Sequence, residues 1–285
     1  MKIYLLISCI VLLFFSCTKE NNNPPATGTT QAQVAMDISY GLDPKQKTDI
    51  YLPEGRTETN TKTVVVIHGG GWTGGDKSEM NFIVDSLKKR LPGYAFINVN
   101  YRLASNNTTN LFPTQENDVK AAIDFYLSRS SDYKVSKDVV VAGASAGAHL
   151  AMMYGYKDDA DRHVKAVIDY FGPTDLVALW NIGPAQQLIL FAVTGKLYDQ
   201  DPVLYSESSP VNFITAQTPP TIAIQGGIDP LVPPAQAAVL LARLQEKNVI
   251  NQLAYYPAGG HGDWSLSVYG DSFEKIQAFI TANVR

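Results

Sequence analysis

Four short segments combine residue types that could carry out acyl chemistry. In Gly143-Ala144-Ser145-Ala146-Gly147 a serine is flanked only by small residues, directly after an apolar run and before a helical stretch from His149 to Tyr156. A bare G-x-S-x-G arises by chance in roughly one protein in ten of this length, so alone it decides little. Its setting decides more, because a strained strand-to-helix turn tolerates only small neighbours around an exposed serine. His68-Gly69-Gly70-Gly71-Trp72 follows another apolar run. Consecutive glycines let backbone N–H groups turn inward, as an oxyanion requires of donors held ready before charge develops. Gly70 and Gly71 are the expected donors, joined by the N–H of Ala146 just after the serine. A phosphate loop is the competing reading, but no Lys-Ser/Thr follows and the glycine spacing does not suit a dinucleotide.

The other two segments supply an acid and a base. Asp229 lies in Gly226-Gly227-Ile228-Asp229-Pro230-Leu231-Val232-Pro233, and His261 in Gly259-Gly260-His261-Gly262-Asp263-Trp264. Each follows an apolar run that reads as a strand, where parallel sheets bind ligands. An imidazole can take the serine proton and return it to a leaving alkoxide, while a carboxylate fixes its tautomer. Asp175 also follows a strand and is a rival acid, though its expected role is to hold the chain at the start of the next segment. His149 reads as a packed histidine, His163 as a surface residue and Asp263 as a loop carboxylate. The four histidines are scattered, and no metal site is expected. Trp72 and Tyr101 are candidate substrate-pocket residues.

These residues need a scaffold of strands and helices. Apolar runs at Val34 to Tyr40, Lys47 to Leu52, 63–67, 94–99, 138–142, Val164 to Tyr170, 220–224 and Leu253 to Tyr256 predict strands. Ile83/Leu87/Leu91, Val119/Ile123/Tyr126 and Phe273/Ile276/Ile280 fall at helical spacing. The alternation predicts an α/β fold with a mostly parallel sheet covered on both faces. Gly172 to Thr218 is too long for a simple crossover and has apolar content of its own, which predicts a cap insertion.

With these elements in place, the chain resembles an α/β-hydrolase of the esterase/lipase branch, from about Lys47 to the C-terminus. The order Ser145, Asp229, His261 is the order of that triad. Thr48-Asp49-Ile50-Tyr51-Leu52-Pro53, Asn100-Tyr101-Arg102-Leu103 and Phe112-Pro113 support the likeness. Acetyl and feruloyl esterases of plant polysaccharides, hormone-sensitive-lipase-like esterases and kynurenine formamidase are similar. Lipase-like relatives often continue Y-R-L-A-P-E, whereas Ala104-Ser105-Asn106 stands here. Trp72 and Val232-Pro233 lean toward the small carbohydrate-ester enzymes. The resemblance implies a serine carboxylic-ester hydrolase without cofactor, acting on short or aromatic acyl groups carried by carbohydrate. An amidase or peptidase, a lipid esterase and a non-catalytic glycan-binding relative are the alternatives.

Composition is consistent with that reading. The chain has 285 residues, 45% hydrophobic and 18% charged, with a formal net charge of −4. No basic cluster exceeds Lys88-Lys89-Arg90, which argues against nucleic acid as a partner. Both cysteines, Cys9 and Cys17, lie in the first 17 residues, so the rest of the chain offers no disulfide or thiol nucleophile. Lys2 and the apolar run to Phe15 fit a signal peptide over residues 1–16, since a spanning helix needs roughly 20 apolar residues. Ser16-Cys17 resembles the lipobox of bacterial lipoproteins, which implies lipidation at Cys17 and an envelope location. Residues 17–33 read as a polar tether and 34–285 as the hydrolase domain.

Overall fold

The computed structural model describes residues 30–285. The expected signal peptide, Cys17 and most of the tether lie outside the described residues. The end of that tether is not a free linker. Thr30 Oγ1 donates to the Arg56 carbonyl (3.1 Å), and the buried Arg56 guanidinium donates to the Gln31 carbonyl and to Gln33 Oε1 (2.9 Å). A buried guanidinium requires acceptors, and here the backbone before the first strand supplies them. The docked chain therefore begins by Thr30, ahead of the expected boundary at residue 34.

Eight strands form one sheet: β1 (Gln33–Ser39), β2 (Lys47–Leu52), β3 (Thr63–Ile67), β4 (Ala95–Val99), β5 (Val139–Ala144), β6 (Val164–Tyr170), β7 (Thr221–Gly226) and β8 (Asn251–Tyr256). Their order is β1-β2-β4-β3-β5-β6-β7-β8, with the β1–β2 and β2–β4 pairs antiparallel and every other pair parallel. The helices are α1 (Asn81–Arg90), α2 (Thr114–Leu127), α3 (Ser130–Tyr133), α4 (Ala146–Met153), α5 (Leu176–Trp180), α6 (Pro184–Thr194), α7 (Pro202–Glu207), α8 (Ala235–Glu246) and α9 (Leu266–Asn283).

Strand alternation divides the core into two layers. Val65 and Ile67 of β3 pack with Val119 and Ile123 of α2 and Leu150 of α4, whereas Val64 and Val66 pack with Leu87 of α1 and Phe273 and Ile276 of α9. A fully buried aliphatic or aromatic side chain contributes about 1.5–3 kcal/mol, which explains why β3, the strand before the glycine segment, is apolar on both faces. Both layers hold the sheet rigid at the strand ends that carry the site.

Residues between β6 and β7 form α5 to α7 and two short 3₁₀ turns. Tyr205 is fully buried, with the rings of Trp180 and Tyr198 edge-on to it at 5.3 and 5.6 Å. This segment is bolted to the main domain by Gln236 of α8. Its Oε1 accepts from the N–H groups of Thr174 and Asp175 (both 2.8 Å), and its Nε2 donates to the Asp175 carbonyl (3.1 Å).

Asp169 of β6 carries a pH signature. Its side chain is buried, Oδ1 accepts from the Gly172 N–H (2.7 Å), and burial pushes its pKa up to about 7. The folded state therefore keeps a proton that the unfolded chain has lost between about pH 4 and 7, so this group costs stability as pH rises through that window. Asp169→Asn retains the acceptor and removes the ionisation. Its Tm should match wild type near pH 4 and exceed it at pH 8 by on the order of 5 °C, measured by thermal unfolding at both pH values. A gap that does not change with pH would contradict this assignment.

Candidate active site

Ser145 joins β5 to α4 with φ +55°, ψ −123°, a strained backbone for a side-chain-bearing residue. The flanking glycines make the turn possible. A Cβ on Gly147 would lie 2.2 Å from the Ile67 carbonyl oxygen, and one on Gly143 2.3 Å from Gly147. The Ser145 N–H donates to the Tyr170 carbonyl (2.8 Å), tying the turn to β6. Its hydroxyl is thereby presented at the C-terminal edge of the sheet.

The loops after β7 and β8 bring the acid and the imidazole to that hydroxyl. His261 Nε2 lies 2.9 Å from Ser145 Oγ, and Nδ1 lies 2.7 Å from Asp229 Oδ2. A carboxylate only accepts, so Nδ1 carries the proton and Nε2 accepts from the serine. The other Asp229 oxygen accepts from the N–H groups of Leu231 and Val232, both at 2.9 Å. The Asp229 side chain is wholly buried, and its four-atom carboxylate plane is fixed by these three donors. Phe171 packs against the imidazole at 4.7 Å, and Trp264 Nε1 donates to the Gly260 carbonyl (2.9 Å), fixing the loop that bears His261.

Gly70 and Gly71 adopt φ +96° and +57°, and Trp72 follows at +60°. The Gly70 carbonyl accepts from Thr73 and Gly74 (3.2 and 2.9 Å), which curls the loop. Neither the Gly70 nor the Gly71 N–H donates to an acceptor among the described residues. A Cβ on Gly69 would sit 3.3 Å from Ser145 Cβ, so the loop lies directly against the serine. Ala146, the first residue of α4, directly follows the serine.

Polar residues just beyond the loop brace it, and sequence reasoning missed them. Lys77 Nζ is buried between Asp49 (2.8 Å) and Asp37 (2.9 Å), while its N–H donates to Asn100 Oδ1 (2.6 Å). Asn100 Nδ2 in turn reaches Asp76 (2.9 Å). The local signal was Asp76-Lys77 immediately after the last glycine, charged residues where a solvated turn would equally place them.

A cavity of about 440 Å³ opens above Ser145. Its walls are largely apolar: Met80, Ile83 and Tyr269 on one flank, Leu179, Ile189 and Val232 on the other. Trp72 is among the residues lining this cavity, with its side chain almost fully buried. Tyr101 is not. It is fully buried, its ring stacks on His68 at 4.2 Å, and its hydroxyl donates to the His68 and Gly69 carbonyls (3.0 and 3.1 Å). Tyr101 thus supports the glycine loop from below, because a buried phenol O–H goes to the nearest free carbonyl. The burial that holds it also pushes the His68 imidazole down to about 4.

The rival residues take structural positions. Asp175 Oδ1 accepts from the Ala178 N–H (2.9 Å) and caps α5. His163 is a partly exposed residue 3.9 Å from Asp161. His149 is packed as expected but only half satisfied: Nε2 donates to the Ser208 carbonyl (2.7 Å), and Nδ1 has no partner among the described residues.

A mostly parallel eight-stranded sheet, layered by helices and carrying a serine turn after β5, is the α/β-hydrolase fold. Within that fold, the BD-FAE family model matches residues 48–244, and the chain belongs to this family. Esterase LipC of Mycobacterium tuberculosis is 25% identical over 245 residues, covering 79% of this chain and 59% of that protein. The chain spans between about half and three-fifths of the curated relatives it matches first. Among solved structures, a bifunctional GH43-CE protein of Bacteroides eggerthii superposes with a TM-score of 0.76 at 26% identity, covering 88% of this chain and 38% of that one. A truncated carbohydrate esterase from gut microbiota gives a TM-score of 0.74 at 24% identity, covering 90% of this chain and 99% of that one, a likeness of fold.

Proposed function

We propose that this protein is a serine carboxylic-ester hydrolase that removes short or aromatic acyl groups from carbohydrate and is held at a bacterial envelope through Cys17. The observation that carries the reaction is the continuous hydrogen-bond chain from Ser145 Oγ through His261 to Asp229, beside glycine N–H groups with no acceptor among the described residues. Ser145 Oγ attacks the ester carbonyl as its proton passes to His261 Nε2. Asp229 stabilises the resulting imidazolium, and the N–H groups of Gly70, Gly71 and Ala146 receive the oxyanion. Collapse breaks the bond to the alcohol oxygen, which takes the proton from His261. Water, activated by the same imidazole, then releases the acid from Ser145 and restores the enzyme.

The pocket supports the short-acyl part of the reading. Within Leu188-Ile189-Leu190-Phe191 of α6, Leu188 is exposed and Leu190 is fully buried in the core, so the run does not line a channel. Ile189 alone of the four faces the cavity, with Cγ2 3.7 Å from the position a Gly71 Cβ would take. A long acyl chain gains about 0.8 kcal/mol for each methylene it buries, but only where a channel receives it. On 4-nitrophenyl esters, kcat/KM should peak at about two to four acyl carbons and fall at least roughly tenfold by about eight carbons. A steady rise to long chains would favour the lipid-esterase alternative. The carbohydrate part rests on the likeness to the carbohydrate-esterase structures, and hydrolysis of acetylated or feruloylated oligosaccharides tests it.

A further inference from the structure

The mechanism leaves two buried imidazoles unused, His68 beneath the glycine loop and His149 behind the serine turn. His149 lies on α4, one turn after Ser145, and three parts of the site meet on its ring. Its Nε2 donates to the Ser208 carbonyl (2.7 Å), just past the end of α7. The indole of Trp72, next in chain to Gly71, meets it edge-on at 5.1 Å and 89°. Phe112 closes the third side at 5.6 Å, and the Phe112 N–H donates to the Val193 carbonyl of α6 (2.9 Å).

Plain core packing does not account for this choice of residue. The ring is wholly buried and its pKa is pushed down to about 4, so it is neutral near pH 7 with its proton on Nε2. Nδ1 is then a bare acceptor without a partner among the described residues, and Trp72 Nε1 is a buried donor without one among them. An apolar side chain would avoid the cost of desolvating that nitrogen. What an apolar residue cannot supply is a donor to the carbonyl at the end of α7. Trp72, meanwhile, is a bulky residue held at φ +60°, a conformation that persists only where the surroundings enforce it.

We propose that His149 is a positioning residue: anchored to Ser208, it holds Trp72, and through Trp72 the N–H groups of Gly70 and Gly71, in line with the oxyanion formed on Ser145. This rests on the serine-esterase reading above. Oxyanion donors act only if they are aimed at the transition-state oxygen before it forms, so a small tilt of the loop reduces turnover more than substrate binding.

The test compares His149→Gln and His149→Phe with wild type for kcat and KM on 4-nitrophenyl acetate, inhibition by phenylboronic acid, and Tm. The boronate adds to Ser145 as a tetrahedral anion and so reports on the same donors. His149→Gln can still donate to the Ser208 carbonyl and should stay within about threefold of wild type. His149→Phe should lose about 10–100-fold in kcat with KM within about twofold, and should weaken the boronate in the same proportion. Should His149→Phe not fold, His149→Asn carries the test, because its shorter amide leaves both Ser208 and Trp72 unsupported. A kcat near wild type, a rise in KM alone, or a loss no larger than the unfolded fraction overturns the positioning role. Absence of ester turnover in wild type overturns the esterase reading, and this inference with it.

Discussion

Ser145→Ala should lower kcat on 4-nitrophenyl acetate by about 10⁴-fold or more while leaving the unfolding transition close to that of wild type. The size follows from the geometry. Without Oγ there is nothing 2.9 Å from His261 Nε2 to deprotonate, and no atom on which an acyl group can be carried. Residual hydrolysis would come from water oriented by His261 and the glycine N–H groups. The side chain lost is small, and the Ser145 N–H still donates to Tyr170 O, so the turn itself survives. Circular dichroism melts beside the kinetics separate loss of chemistry from loss of fold.

The second large effect distinguishes two carboxylates. Asp229→Asn should reduce kcat by about 10³–10⁴-fold, because an amide can present N–H to His261 Nδ1 and so favour the tautomer that cannot accept from Ser145. An amide also no longer offsets the charge of the imidazolium. Asp175→Asn should change kcat less than about threefold, since an asparagine still caps α5 through its side-chain oxygen. A dead Asp175 variant beside an active Asp229 variant would reverse the assignment of the acid.

Much of this site could be read in the sequence because backbone constraints leave visible marks. Ser145, Asp229 and His261 each follow a β-run, and the turn at Ser145 admits only Gly and Ala nearby, a demand the close approach of Gly147 to Ile67 makes concrete. The sheet was legible for the same reason: strands buried on both faces are continuous apolar runs. Side-chain direction left no such mark. Tyr101 and Trp72 flank the same glycines, yet only the latter lines the cavity, because the carbonyls of His68 and Gly69 hold the Tyr101 hydroxyl beneath the loop. The contributions of Met80, Ile83, Ile189 and Tyr269 depend on how α1, α6 and α9 pack, which periodicity within one helix does not specify. Likewise, α8 drew no expectation, although Ala237, Leu240 and Leu244 fall at helical spacing on its buried face and its Gln236 fastens the segment over the site. Thr30 to Gln33 looked like linker because composition cannot show that a buried arginine bonds their backbone.

The central claim is that the reaction passes through an acyl group on Ser145. It is tested most directly by quenching the enzyme in acid during turnover of 4-nitrophenyl acetate and locating any adduct by peptide mass analysis. One acetyl group is expected, on the peptide containing Ser145, appearing before steady state and disappearing when substrate is exhausted. Active turnover with no adduct at any time, or with the acetyl group on another residue, would contradict it.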